Sequence, residues 1–217
     1  MTPWLILDVA TAPVDNAADF IEADPSDAPS NYGPEAAQKW AEKERQKKLD
    51  RAGLDVDLAR VTAIGAKGTL LTLDVLCTDE SSERRHLEAL GNDILDSKLI
   101  TFNGHAFDLL VLQRRARYLG VKDFPVINTD RYKSHHVDLM DVLTHRGILA
   151  RRSLGFYVKR LGWTDLVKPL SGSEEAQVPQ TGKWDELRLS VQHDVEATYR
   201  LAKWLGVISN EKEETIF

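Results

Sequence analysis

The run Lys98–Leu112, KLITFNGHAFDLLVL, decides the fold. It begins as a short apolar strand, breaks at Asn103-Gly104, a dipeptide that favours tight turns, and resumes as a helical pattern carrying Asp108 on its first turns. A short buried strand between two amphipathic helices, Ser82 to Asp96 and Ala106 to Leu119, points to parallel pairing and an α/β layered arrangement.

Working outward, further strand patterns cover Trp4 to Val9, Arg60 to Ala66 and Thr69 to Leu76, beside Lys98 to Phe102 itself. Gly65 to Gly68 reads as the turn that joins the second and third strands into an antiparallel hairpin. Further helical patterns cover Glu35 to Arg51, Ser153 to Leu161 and Trp184 to Leu205. Between the first strand and the hairpin lies an insertion, residues 14–59, that opens as a loop rich in proline, aspartate and serine and continues as a charged helix. The whole chain, 1–217, reads as one domain carrying that insertion.

Bulk composition sets limits. Net charge is −6, which argues against a coat protein that binds nucleic acid by neutralising phosphates, yet leaves room for a site built from clustered carboxylates. Basic residues still gather locally in QRRARYLG and RRSLGFYVKR. The single cysteine, Cys77, excludes an intramolecular disulfide and fits a reducing, cytoplasmic setting. No basic leader opens the chain and no stretch approaches the length of a membrane span.

Three acids stand out. Asp8 ends an apolar run in LILDVATAP, residues 5–13. Asp108 follows the Asn-Gly turn. Asp194 lies in SVQHDVEATYRLAKWL beside an apolar stripe of Val195, Thr198, Leu201 and Leu205, which turns it toward the sheet edge. Each alone has an ordinary explanation: a strand end, a helix N-terminus, one more solvated acid. Position 10 shares a strand face with Asp8, because side chains alternate with period two, and it holds an alanine.

In order, these segments resemble the DEDD superfamily of 3'-5' exonucleases with the ribonuclease-H-like fold, nearest to predicted exonucleases related to the proofreading domain of family-B DNA polymerases. LILDVATAP resembles the first motif except at Ala10, where that motif has glutamate. ITFNGHAFDLLVL resembles the second, HHVDLMDVL a downstream Asp-Leu segment, and HDVEATYRL the third. The resemblance implies a mixed sheet flanked by helices and a magnesium or manganese two-metal site, with one position impaired. It implies metal-ligand and catalytic roles for Asp8, Asp108 and Asp194, and substrate contacts from Ala10, Thr11, Asn103, Gly104 and Phe107. Restoring glutamate at position 10 is then the change expected to raise cleavage most.

The motif's water-orienting tyrosine falls at Ser190, and the histidine of a sister group at Leu189. His193 adjoins Asp194 but points elsewhere on a helix, with a shifted role left open. Asp138 reads as a support behind the acids or a cap for the next helix; His135 and His136, adjacent on an expected strand, face opposite ways and do not suit a shared zinc. Trp4, Trp40, Trp163, Trp184 and Trp204 are more simply core residues than stacking platforms. The implied partners are single-stranded 3' ends, DNA rather than RNA, and a replication or repair protein. The alternative is a non-catalytic nucleic-acid-binding or protein-interaction module that keeps the fold, for which Ala10 and Ser190 together speak.

Overall fold

The computed structural model describes residues 3–95, 97–128, 130 and 134–209. Five strands form one mixed sheet in the order β3-β2-β1-β4-β5: β1 Trp4–Pro13, β2 Ala59–Gly68, β3 Thr72–Leu76, β4 Lys98–Thr101 and β5 Val137–Asp138. β1 pairs antiparallel with β2 and parallel with β4, which in turn is parallel to β5. Eight α-helices accompany them: α1 Pro34–Asp50, α2 Glu80–Leu95, α3 Asp108–Tyr118, α4 Leu139–Leu143, α5 Leu154–Arg160, α6 Gly172–Glu175, α7 Val178–Thr181 and α8 Trp184–Trp204. This is the mixed sheet flanked by helices that the sequence leads one to expect.

The period of β1 divides the core. Leu5, Leu7 and Val9 pack with Leu87 and Leu90 of α2 and Leu109 and Leu112 of α3. Ile6 and Ala10 face the other way, into a cluster with Leu187, Val191, Val195 and Leu201 of α8. Asp8 therefore projects from the α8 face. The buried stripe on α8, spaced by three or four residues, seats that helix across β1 and β2.

The expected turn at Gly65 to Gly68 is corrected. β2 runs on through Gly65, Ala66 and Lys67, which pair with Asp74, Leu73 and Thr72, and the chain reverses at Gly68–Leu71, closed by a 2.7 Å bond from Gly68 N–H to the Leu71 carbonyl. Gly65 serves packing: a Cβ there would lie 2.5 Å from Val191 Cγ1 and 2.8 Å from Val195 Cγ2. β1 also continues past Val9 to Pro13, with a register shift between Ala10 and Thr11. The insertion holds two 3-10 turns ahead of α1 rather than plain loop. α3 begins at Asp108 itself. The helix predicted to Asp96 ends at Leu95 among the described residues; Asp96 lies outside them.

His135 and His136 precede β5 rather than lying within a strand, because β5 is only two residues long. Trp4 stacks on Tyr199 with ring centroids 5.7 Å apart, and Trp163 and Trp184 pack against the α8-side core, as core residues do. Trp204 is exposed. Cys77 is fully buried, and burial pushes its thiol up to about 12. No helix among the described residues is long and apolar enough to cross a membrane.

Candidate active site

The three acids come together where β1 meets α3 and α8. Asp108 opens α3, and its Oδ1 accepts the Val9 N–H at 3.2 Å, which ties the start of the helix to β1 one residue beyond Asp8. Asp8 stands opposite Gly65 in the ladder. Burial and the neighbouring carboxylates of Asp194 and Asp108 push Asp8 well above the ordinary carboxylate range. Burial also raises Asp108, to about 7, against the pull of backbone amides, and it raises Asp194.

Two residues absent from the sequence-based set complete the cluster. Lys168 Nζ pairs with Asp194 Oδ2 and lies 2.6 Å from Glu175 Oε1. Asp194 and Glu175 together hold that ammonium firmly protonated despite its burial. Ser190, fully buried, accepts the Leu170 N–H at 3.4 Å and lies near enough to Glu175 to favour its charged form. Asp194 and Glu175 thus share one half-buried ammonium, whose charge Asp8 also feels.

Behind Asp108, Asp138 supports the Asn-Gly turn. Its Oδ1 accepts the N–H groups of Asn103 and Met140, each bond 2.8 or 2.9 Å, and its Oδ2 accepts that of His105 at 3.0 Å. It thereby caps α4 and fixes the turn that presents Asp108. Asn103 adopts a left-handed backbone, φ 69°. A Cβ on Gly104 would collide with the Thr101 side chain, whose hydroxyl accepts the Gly104 N–H. That gives this glycine a packing reason independent of any substrate.

His105 Nδ1 donates to Asp141 Oδ2 at 3.1 Å and lies 3.7 Å from Asp138 Oδ2. Among the described residues, His105, Asp138 and Asp141 form the one group of three ligand-type side chains whose donor atoms all approach within 4.8 Å. Asp138 already accepts three backbone amides, so this group reads as a brace for the turn. His136, 4.2 Å from His105 between ring centroids, is driven down to about 3 by burial and stays neutral.

The remaining predicted residues are placed as follows. Thr11 is buried and donates to the Gly53 carbonyl at 2.6 Å, anchoring the insertion to β1. Phe107 packs against the α2–α3 core. Ala10 is buried on the α8 side. Leu189 is exposed, and His193 Nδ1 donates to the Val167 carbonyl at 3.1 Å. The structure thus groups Asp8, Asp108 and Asp194, sets Asp138 behind them, and brings in Lys168 and Glu175.

The donor set suits a hard divalent cation: it is all carboxylate oxygen, and burial raises Asp8, Asp108 and Asp194, the first two also through neighbouring carboxylates, a cost that added positive charge relieves. Asp8, Asp108 and Asp194 could offer oxygens to such an ion, though as they stand their donor atoms do not all lie within 4.8 Å of one another.

A family model described as predicted 3'-5' exonuclease related to the exonuclease domain of PolB matches residues 57–213. That span holds Asp108, Lys168, Glu175 and Asp194, and leaves Asp8 and Ala10 outside it. A comparison with curated proteins finds no match. With most of its length matched, and with the mixed sheet and the acids at its centre in agreement, the chain belongs to the family of predicted 3'-5' exonucleases related to the exonuclease domain of PolB.

Proposed function

We propose that this chain is a metal-dependent 3'-5' exonuclease acting on single-stranded 3' ends, with a site weakened by alanine at position 10. The observation that carries this reading is the convergence of Asp8, Asp108 and Asp194 in a buried cluster with more carboxylates than cations. When bound, magnesium or manganese supplies Lewis-acid chemistry and an activated water. The protein's own part is positional: Asp108 is fixed by Val9 N–H, Asp194 by the rigid α8, and the Asn103-Gly104 turn by Asp138. Binding of the anionic strand is expected to be modest and to weaken with salt, since the chain is acidic overall.

The test is digestion of a 5'-labelled single strand with manganese, resolved in time. Stepwise shortening that EDTA abolishes, slower on blunt duplex and lost in the Asp8→Asn, Asp108→Asn double variant, is expected. Uniform shortening of internal duplex would overturn the reading.

One observation favours a second reading, a non-catalytic nucleic-acid-binding module. Lys168 already neutralises Asp194, so a cation is built into the site. Under that reading the strand binds with no shortening at any manganese concentration.

A further inference from the structure

The two departures from the family's motifs, Ala10 and Ser190, meet at one side chain. α6 packs against β1, and Ala10 shares an apolar cluster with Leu170 and Val178, the residues flanking α6 on either side. Glu175, the last residue of α6, is buried, pairs with Lys168 at 2.6 Å, lies near Ser190 and acts electrostatically on Asp8. A tyrosine at 190 would project where Glu175 and Leu170 lie. The small side chains at 10 and 190 leave room for a carboxylate arriving from the opposite side.

We propose that Glu175 supplies the fourth carboxylate of the site, replacing the one missing at position 10, with Lys168 as the counter-ion that a divalent cation displaces. This rests on the exonuclease reading above and replaces its account of position 10: the loss there is compensated from α6. A surface acid would need no such construction. The Ser171 to Glu174 capping box fixes the start of α6, the Ser190 hydroxyl accepts the Leu170 N–H just ahead of it, and Lys168 bridges Glu175 to Asp194. The bland reading, that Glu175 exists only to neutralise Lys168, makes a different prediction once Lys168 is gone.

The inference also changes what a glutamate at position 10 should do. In the wild-type chain it would add a fifth carboxylate beside Glu175, in a spot only 4% exposed, and gain little. Its benefit should appear when Glu175 is neutral.

The experiment is calorimetric titration with manganese chloride alone on the full chain, with thermal melts to confirm folding. Glu175→Gln should weaken binding about tenfold or more, as Asp194→Asn does. The loss should persist, relative to Lys168→Met alone, when both variants carry Lys168→Met, which removes the shared ammonium and leaves one carboxylate without its cation in each chain, so that the two are compared on the same footing. Ala10→Glu should restore affinity to the Glu175→Gln chain. If the Glu175→Gln loss vanishes in the Lys168→Met background while Asp194→Asn still weakens binding, Glu175 is only a counter-ion and the proposal fails, with the metal-site reading intact. If no variant, Lys168→Met included, binds manganese, both fail together.

Discussion

Between α2 and α3 the Glu83 carboxylate meets the Arg115 guanidinium in two bonds of 2.8 and 2.7 Å and also accepts the Val61 N–H. Across the sheet, Asp194 and Glu175 pair with Lys168, and Asp8 and Asp108 lie beside them. Both bring distant parts of the chain together, the first sealed from solvent and the second partly open, with Lys168 28% and Asp194 17% exposed. They differ in compensation. At Glu83 both carboxylate oxygens meet one planar fork, which also reaches the exposed Glu80 at 3.4 Å, so the buried charge is neutralised where it stands. At Asp8 negative groups outnumber the positive one, and burial raises three acids instead of being balanced. A fold that needed only cohesion would build the first kind. Undercompensated carboxylates cost stability and gain a place for an added cation.

The largest effect should come from breaking the balanced centre. Glu83→Ala leaves the Arg115 guanidinium buried without its partner and should cost about 3–5 kcal/mol in urea unfolding. A companion change, Arg115→Met with Glu83→Leu, should recover part of that loss. A cost below about 1 kcal/mol for Glu83→Ala would show that the pair is not compensated as its geometry indicates.

The second prediction separates the two centres by pH. Asp108 titrates near 7 in the folded chain because burial disfavours its charge, against an ordinary value of 3.8 when unfolded. Between those values the folded state keeps a proton that the unfolded state has released. Stability should therefore fall as pH rises from about 4 to about 7 and level off above. Asp108→Asn removes its share of this slope, leaving that of Asp8 and Asp194, while its side-chain oxygen can still accept the Val9 N–H. In EDTA it should be more stable than wild type by about 1–3 kcal/mol at pH 8 and equal to it at pH 4. A wild-type profile that is flat over this window would refute the assignment.

What the sequence makes legible follows the same division between regular and irregular structure. Asp8, Asp108 and Asp194 sit in a strand, at a strand-to-helix turn and on a long amphipathic helix, where periodicity fixes which way a side chain faces. Lys168 and Glu175 lie among short turns, in a segment too brief for any period to emerge. The Ser171-x-x-Glu174 pattern marks a helix start there, yet nothing local says that the next residue turns inward. β5 escapes for a similar reason, since two residues show no alternation. Gly65 misleads because a glycine required by helix-on-sheet contact is indistinguishable in sequence from one required by a turn.

The third prediction adds the missing charge. Manganese at ten times its dissociation constant should stabilise the wild-type chain by about 1.4 kcal/mol, read as a rise of about 3–5 °C in melting temperature. The gain should be much smaller in Asp108→Asn, and should be unchanged by a conservative Glu88→Gln substitution on the exposed face of α2. An equal rise in all three chains would place the ion outside the carboxylate cluster.

The smallest expected effect tests whether burial, rather than charge pairing as such, distinguishes the two centres. Glu196 lies on α8 two residues beyond Asp194 and is better supplied with cations than any acid in the site: Lys67 Nζ lies 2.7 Å from its Oε2 and Arg200 Nε 3.1 Å from its Oε1. Its side chain is 31% exposed, so water screens both pairs and neither charge is stranded when its partner is lost. Glu196→Gln should therefore cost less than about 1 kcal/mol, and the cost should shrink as salt rises from 50 to about 500 mM. Glu83→Ala, sealed from solvent, should keep its full cost over the same range. If Glu196→Gln proved as damaging and as salt-insensitive as Glu83→Ala, partner count would outweigh burial. The excess of acids around Lys168 would then say less about a divalent cation, because exposed ion pairs on the same helix would be holding the fold as firmly as buried ones.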